Sequence, residues 1–411
     1  MNNLIKNSLF LLGMQGINYL IPLISLPYLT RKLGFYEYGM ISTALNIILY
    51  LMLFIDFGFN FSTTKDIAKS RNNKLKIQRI YSATIYSKII IASISILILL
   101  ILIRGFQLFN DIESLIYVML PQLIYAIFFP LWLYQGLEKI SFISICSVVS
   151  KIITLPLLFF YVKDKNDIYI AGIILSWSYL LPLIINYFYL HKNLPYIKIE
   201  KINFSLVLSI LKKSSIIFWG SISISLYTLS TPIILSLVSN YDQVGIFTAT
   251  DKLRIACIGI FLILGQAIYP RVNILLSESK KKYNLFIKKI IIYQISFCSI
   301  TSLLFFLLMP YLAPILLGNT FIEMKLIIQL MSPMIILIPL SVIISNFILL
   351  PHGMNKIYAI IPTITLFFHI IYTIPLSENY GAIGSSIAIL ITEIISLSLL
   401  LISYFFFIKN K

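Results

Sequence analysis

Twelve apolar runs, each long enough to cross a bilayer, succeed one another along the chain at 7–29, 38–60, 80–103, 112–134, 141–161, 168–190, 214–236, 244–268, 287–308, 325–349, 357–376 and 381–407. A hydrocarbon core ~30 Å thick is spanned by ~20 helical residues. Lipid offers the backbone no hydrogen-bond partner, so such runs close their own bonds as helices. The expected fold class is an all-α polytopic membrane protein with 12 transmembrane helices. Composition agrees, since 59% of the 411 residues are hydrophobic and 11% charged, beyond the apolar content of a soluble domain. The opening MNNLIKNSLF lacks a short apolar core ending in a small-residue cleavage site, so the first run is expected to remain in the mature protein. Cys146, Cys257 and Cys298 all lie within apolar runs, with no CxxC or His spacing, which points to neither a disulfide framework nor a zinc site.

The 32 Lys and Arg give a formal net charge of +17. No basic, aromatic-interleaved soluble domain exists to hold a nucleic acid, so none is expected as a partner. Topology explains the charge better. With the N-terminus inside, the inner segments hold 22 Lys and Arg, the outer segments 6, and 4 lie within spans. Lys6, the stretch from Lys65 to Arg79 and the stretch from Arg271 to Lys289 are among the inner ones, as are Lys409 and Lys411. The positive-inside rule then puts the N- and C-termini in the cytoplasm. The outer loops are short, the longest being Arg104 to Ser114 and Met309 to Met324, so no extracytoplasmic domain is expected.

An internal duplication organises the runs. GMISTALNI at Gly39–Ile47 matches GIFTATDKL at Gly245–Leu253, an offset of 206. LYQGLEKI at Leu133–Ile140 matches LPHGMNKI at Leu350–Ile357 (offset 217), and IYIAG ending at Gly172 matches YGAIG ending at Gly384 (offset 212). Three matches in order at nearly constant offset indicate a repeated six-helix unit. The expected division is an N-terminal six-helix bundle over 1–193, a cytoplasmic amphipathic linker over 194–213, and a C-terminal six-helix bundle over 214–411. In the linker Phe204, Leu206, Val207, Leu208, Ile210 and Leu211 alternate with Ser205, Ser209, Lys212 and Lys213, as in a segment lying on a membrane surface. An even number of helices gives both copies one orientation, related by an axis along the membrane normal, which points to a transporter with its path between them. Prolines within the spans, such as Pro22, Pro27, Pro121, Pro130 and Pro182, permit bending of the kind alternating access needs.

Against this apolar background, TATDKLRIA at Thr248–Ala256 places Asp251, Lys252 and Arg254 within four positions of one helix. Each ionisable side chain at membrane depth costs at least ~2.5 kcal/mol on insertion scales, which suggests a polar cavity. The plainer alternative makes Asp251 and Arg254, at i and i+3, a structural pair. It leaves Lys252, about 100° round the helix from Asp251, unexplained. The spans also hold Asp56, Lys88, Lys151, His369 and Glu393, with Arg31 and Lys32 at the outer end of the first. Cations exceed carboxylates there, which favours an anionic passenger and a cationic cavity. Each residue also has a structural reading. Lys88 can snorkel to the inner surface, Arg31 and Lys32 can anchor the interface, and His369 can be a packed, satisfied histidine. Asp56, Asp251 and Glu393 are candidates for coupling or gating, and equally for paired or helix-terminal roles. No GxxxxGK[ST] motif is present and only three histidines, so no ATPase, cofactor or other enzyme chemistry is expected.

The opening NSLFLLGMQGINYLIPLISLPYLTRKLGFYEYG, followed by LMLFIDFGF and TTKDIAKSRNN, resembles the O-antigen flippases (Wzx type), polysaccharide transporters of the multidrug, oligosaccharidyl-lipid and polysaccharide exporter superfamily. The likeness extends over the twelve runs, the six-plus-six duplication, and the PxLTRxLG and YG signals between Pro27 and Gly39. It implies a MATE-like pair of six-helix bundles in the bacterial inner membrane. It further implies transport of undecaprenyl-diphosphate-linked oligosaccharide repeat units from the cytoplasmic to the periplasmic leaflet, with membrane lipid around the polyprenyl tail. On matching positions the substrate-handling role of lumen cations is carried to Arg31, Lys252 and Arg254, and more weakly to Lys88 and Lys151. O-antigen polymerase and a chain-length regulator are the implied protein partners. Two energy sources stay open: an ion gradient of H+ or Na+, and downhill movement pulled by polymerisation. The alternatives are a multidrug antiporter, for which carboxylates should line the cavity, and a peptidoglycan-precursor (lipid II) flippase. A polymerase or polyprenyl-linked glycosyltransferase is disfavoured because its large extracytoplasmic loop is missing.

Overall fold

Helices account for nearly every apolar run. The computed structural model describes residues 2–318 and 322–406; Met1 and residues 407–411, with the Lys409 and Lys411 counted among the inner charges, lie outside the described residues. In chain order the α-helices are α1 (Asn2–Leu33), α2 (Phe35–Asp56), α3 (Phe59–Lys69), α4 (Lys74–Leu100), α5 (Glu113–Met119), α6 (Gln122–Phe128), α7 (Leu131–Gly136) and α8 (Ile140–Tyr161). They continue with α9 (Ile168–Asn193), α10 (Phe204–Val238), α11 (Tyr241–Glu278), α12 (Lys280–Leu317), α13 (Ile322–Met331), α14 (Met334–Val342) and α15 (Asn355–Tyr404). No strand occurs among the described residues. Six helical stretches there are long and apolar enough to cross a membrane, and seven when a bent pair is taken as one span, so the chain is a multi-pass membrane protein.

Several expected spans depart from a single continuous helix. The run at 112–134 is divided into α5, α6 and α7, and its two parts meet at 46°. Pro121 and Pro130 stand at the breaks, and Phe129, which precedes a proline, is extended (φ −86°, ψ 108°), as steric clash with the ring requires. The run at 325–349 ends in a π-helix over Ile343–Leu349. The last two runs are joined in the 50-residue α15, broken at Gly381 (φ 55°, ψ −131°), a conformation reserved for glycine. There the Ala382 amide donates to Gln243 Oε1 at 2.7 Å, while Gln243 Nε2 donates to Glu323 at 2.8 Å.

Two compact units form: unit 1 is Met1–Met14 with Thr43–Ile222, and unit 2 is Gln15–Ser42 with Ser223–Lys411. Unit 1 packs Phe59, Ile67, Trp132 and Tyr134, all fully buried, where α3 lies on α7. The 204–213 stretch forms the first turns of α10 and continues directly into the following span. It is tied to α3 by Asp66 with Lys213 and by Ser62 with Ser214 (2.6 Å).

In unit 2 the starts of α2 and α11 touch backbone to backbone. A Cβ on Gly39 would stand 1.9 Å from the Tyr241 carbonyl oxygen, and one on Gly245 would stand 2.1 Å from that of Phe35. These positions repeat at the offset of 206, which carries Phe35 onto Tyr241 and Gly39 onto Gly245. The contact is therefore reciprocal, as a two-fold relation between repeats demands. Helices in lipid associate through close packing of this kind, for which small residues are required. Gly39→Ala and Gly245→Ala are each expected to destabilise unit 2 by ~1–3 kcal/mol, the usual cost of overpacking. Gly13→Ala, which meets nothing within 4 Å, should be neutral. The fraction of detergent-purified protein that stays monodisperse after graded heating measures the difference.

Candidate functional site

Unit 2 gathers five of the charged residues singled out from the sequence: Arg31, Asp251, Lys252, Arg254 and Glu393. Helix α11 positions three of them. Asn240 caps its start by accepting from the Gln243 amide at 3.0 Å, and the Gly39–Gly245 contact fixes the height at which it passes α2. Two turns on, Arg254 folds back on Asp251, with Nε at 2.8 Å and Nη2 at 2.5 Å from Oδ1. The i,i+3 pair read from the sequence is formed. It does not complete the guanidinium, because Nη1 is buried without a hydrogen-bond partner in a side chain only 4% exposed.

Lys252 points elsewhere, as its angle on the helix requires. Its Nζ donates to the Tyr38 hydroxyl at 2.7 Å and lies 5.0 Å from the centre of that ring. Tyr38 adjoins Gly39, so the close helix crossing sets this contact too. Among the described residues no carboxylate lies within ion-pair distance of Lys252. Its ammonium therefore has a neutral partner only.

Glu393, on the part of α15 after the Gly381 break, is 5% exposed and accepts from the Tyr227 hydroxyl at 2.9 Å. It stands in the neighbourhood of Arg254 and Asp251. Below it His369 is fully buried, with Nε2 at 3.0 Å from Thr231 Oγ1 and Nδ1 at 2.7 Å from Thr392 Oγ1, so both ring nitrogens are satisfied by hydroxyls. Tyr38 and Tyr227 carry no charge, and a search for ionisable groups in apolar runs passes over them. The matching helix starts around Gly39 and Gly245 are the one sequence signal that brings Tyr38 into the neighbourhood.

Arg31 stands at the far end of α12. Its Nε donates to the Leu316 carbonyl at 3.1 Å and Nη2 to that of Ile315. It caps the last turn of that helix, where free carbonyls and the helix dipole favour a cation. Lys88, Asp56 and Lys151 belong to unit 1. Lys88, 1% exposed, is held by Asp56 Oδ1 and the Ala126 carbonyl, both at 2.8 Å, and does not snorkel. Lys151 lies half-buried midway along α8.

A model of the family described as "Polysaccharide biosynthesis protein" matches residues 4–275. A "Putative O-antigen transporter" of Escherichia coli (strain K12) is 31% identical over 409 residues, covering 99% of this chain and 97% of that protein. Among solved structures, "Lipid II flippase MurJ, inward closed conformation" superposes with a TM-score of 0.73 at 16% identity, over 98% of this chain and 86% of that one. The inward-facing conformation of a multidrug resistance MATE family transporter of the MOP superfamily superposes with a TM-score of 0.68 at 14% identity, over 94% of this chain and 97% of that one. At these identities the two structures show the fold, which is that of MATE and MurJ.

Removing one member of a buried ion pair leaves the other uncompensated and costs ~3–5 kcal/mol, whereas replacing both is much milder. Here Lys88 is buried but Asp56 is 41% exposed, so Asp56→Ala is expected to destabilise unit 1 by less than that amount, and Asp56→Ala with Lys88→Met to recover most of the loss. Thermal inactivation of the two purified variants beside the parent protein checks the ordering.

Proposed function

The chain belongs to the polysaccharide biosynthesis protein family, and from that membership we propose that it is a flippase. On this reading it carries undecaprenyl-diphosphate-linked O-antigen repeat units from the cytoplasmic to the periplasmic leaflet of the bacterial inner membrane. Two six-helix bundles, 1–193 and 214–411, joined through 194–213 and with both termini in the cytoplasm, would alternate access to the carrier. The observation that carries the reading is the charge arrangement on α11. Lys252 has a phenol for a partner, and Arg254 keeps Nη1 unused although Asp251 occupies its other face. A buried donor left unpaired costs ~1–3 kcal/mol; a diphosphate would supply the acceptor that Nη1 lacks and a counter-charge for Lys252, the two side chains standing ~160° apart round α11. Lys252 and Arg254 are thus the substrate cations. Lys88 is already neutralised by Asp56 and Arg31 already caps α12, which leaves both, with Lys151, a supporting role.

The carboxylates beside Arg254 belong to the same proposal. Asp251 would hold Arg254 until the diphosphate arrives, and either Asp251 or Glu393 would take up H+ or Na+ if an ion gradient drives the cycle. They also favour a second reading, export of cationic compounds, because an antiporter needs such carboxylates in its path.

Export of surface polysaccharide in a flippase-deficient bacterium separates the two. Wild-type protein should restore it. The Lys252→Ala/Arg254→Ala variant should abolish it, by more than ~100-fold if two charge-assisted contacts of ~1.5–3 kcal/mol each are lost, at unchanged membrane level. Arg254→Lys should also fail, because an ammonium cannot hold Asp251 and present a second planar edge to the diphosphate. Absence of rescue in several sugar backgrounds, together with resistance to cationic dyes, would establish the antiporter instead.

A further inference from the structure

Unit 2 contains a cavity of about 440 Å³ that none of the charged residues lines. Tyr19 on α1 forms one wall, Leu262, Gly265 and Tyr269 on α11 another, and Asn346 and Phe347 on the π-helix the third. The volume falls in the ~300–1,000 Å³ range of small-molecule sites. We infer that this cavity is the saccharide-recognition subsite of the carrier, with Asn346, Tyr19 and Tyr269 reading the sugars; the inference rests on the flippase reading above.

The lining chemistry selects the ligand class. A diphosphate needs cations and a cationic drug needs carboxylates, and neither charge is present among the described residues of this wall. Two phenol rings and one carboxamide in an apolar surround suit a neutral, hydroxyl-rich molecule with an apolar face. A pyranose is such a molecule: its C–H face lies against an aromatic ring, and its hydroxyls pair with the amide and phenol groups. Asn346 offers both a donor and an acceptor, the combination that adjacent hydroxyls require.

The backbone presents Asn346 deliberately. The π-turn closes with the Leu350 amide on the Ser345 carbonyl at 3.0 Å, and π-turns of this kind concentrate at functional sites. Its far side is anchored. Ile343, Ile344, Ile348 and Leu349 are buried in the unit 2 core, and the Tyr283 hydroxyl donates to the Phe347 carbonyl at 2.8 Å. Val342, Asn346 and Leu350 are left half-exposed toward the cavity.

The position suits an oligosaccharide hanging from a diphosphate. Gly265 follows Arg254 by 11 residues, which is ~16 Å along α11 and within ~20° of the same face. That is the reach of several linked sugars, with the diphosphate at Arg254. Gly265 keeps the space open: a Cβ there would meet only Phe347 Cζ, at 3.6 Å. A larger side chain at 265 would therefore fill the cavity without moving backbone.

Binding to the purified full-length protein in nanodiscs tests the assignment with two probes. One is undecaprenyl diphosphate. The other is the undecaprenyl-diphosphate-linked repeat unit extracted from a strain that the protein rescues. Wild type should bind the repeat unit at least ~10-fold tighter than the bare carrier, about one good polar contact's worth. Asn346→Ala, Tyr269→Ala and Gly265→Leu should each bring that ratio below ~3 and leave the Kd for undecaprenyl diphosphate unchanged, which also certifies their folding. A ratio that survives all three substitutions would overturn the subsite, and so would variants that weaken both probes equally. Wild type that rescues no strain and does not bind undecaprenyl diphosphate would instead remove the flippase reading, and the subsite with it.

Discussion

The backbone contact between the starts of α2 and α11 is the constraint on which the rest of unit 2 depends. Lipid supplies no hydrophobic drive for helix pairing, so association rests on how closely two helices approach. Gly39 and Gly245 allow each helix to press on a carbonyl of the other, at Tyr241 and Phe35. Neighbouring side chains are placed as a result. Tyr38, beside Gly39, meets Lys252, two turns beyond Gly245. Gln243, just before Gly245, reaches the broken backbone of α15 at Ala382. The same contact thus determines where the polar groups of α11 stand and how α15 turns.

The buried charges differ in how completely their surroundings compensate them, and the difference assigns their roles. In a medium of low dielectric an ion needs both an opposite charge and hydrogen bonds. Lys88 has both, from Asp56 and the Ala126 carbonyl, and so reads as architecture. Arg254 has the charge but an unused donor, and Lys252 has a hydrogen bond but no carboxylate. Incomplete compensation in two side chains of one helix is what an anionic ligand would complete. The cavity beside Asn346 has no charged side chain among its described residues, and would give the two ends of a glycosylated diphosphate separate environments along one helix.

Much of the fold is legible in the chain because the helix requirement in lipid turns composition directly into structure. The apolar runs lie on the helices, and the repeat around GMISTALNI and GIFTATDKL marks the contact that organises unit 2. The breaks at Pro121 and Pro130 were written in the sequence as prolines, but how sharply they bend depends on packing. The Asp251–Arg254 pair is visible as an i,i+3 spacing. Lys88 with Asp56, Lys252 with Tyr38 and Glu393 with Tyr227 are not, since each joins residues on different helices at separations of 32, 214 and 166. The role of Arg31 as a cap for α12 is hidden for the same reason: its partners are carbonyls, which every residue possesses. The π-turn at 343–349 carries no compositional mark, so nothing in the sequence singles out Asn346.

The central claim is that the chain moves a glycosylated diphosphate lipid between leaflets. Purified protein reconstituted into vesicles holding an undecaprenyl-diphosphate-linked repeat unit tests it most directly, with an added lectin reporting how much of the sugar stands in the outer leaflet over time. The account predicts that wild-type vesicles expose sugar initially confined to the inner leaflet, and that vesicles with Lys252→Ala/Arg254→Ala behave like protein-free ones. Equal exposure with and without wild-type protein, in either imposed ion gradient and in none, would contradict it.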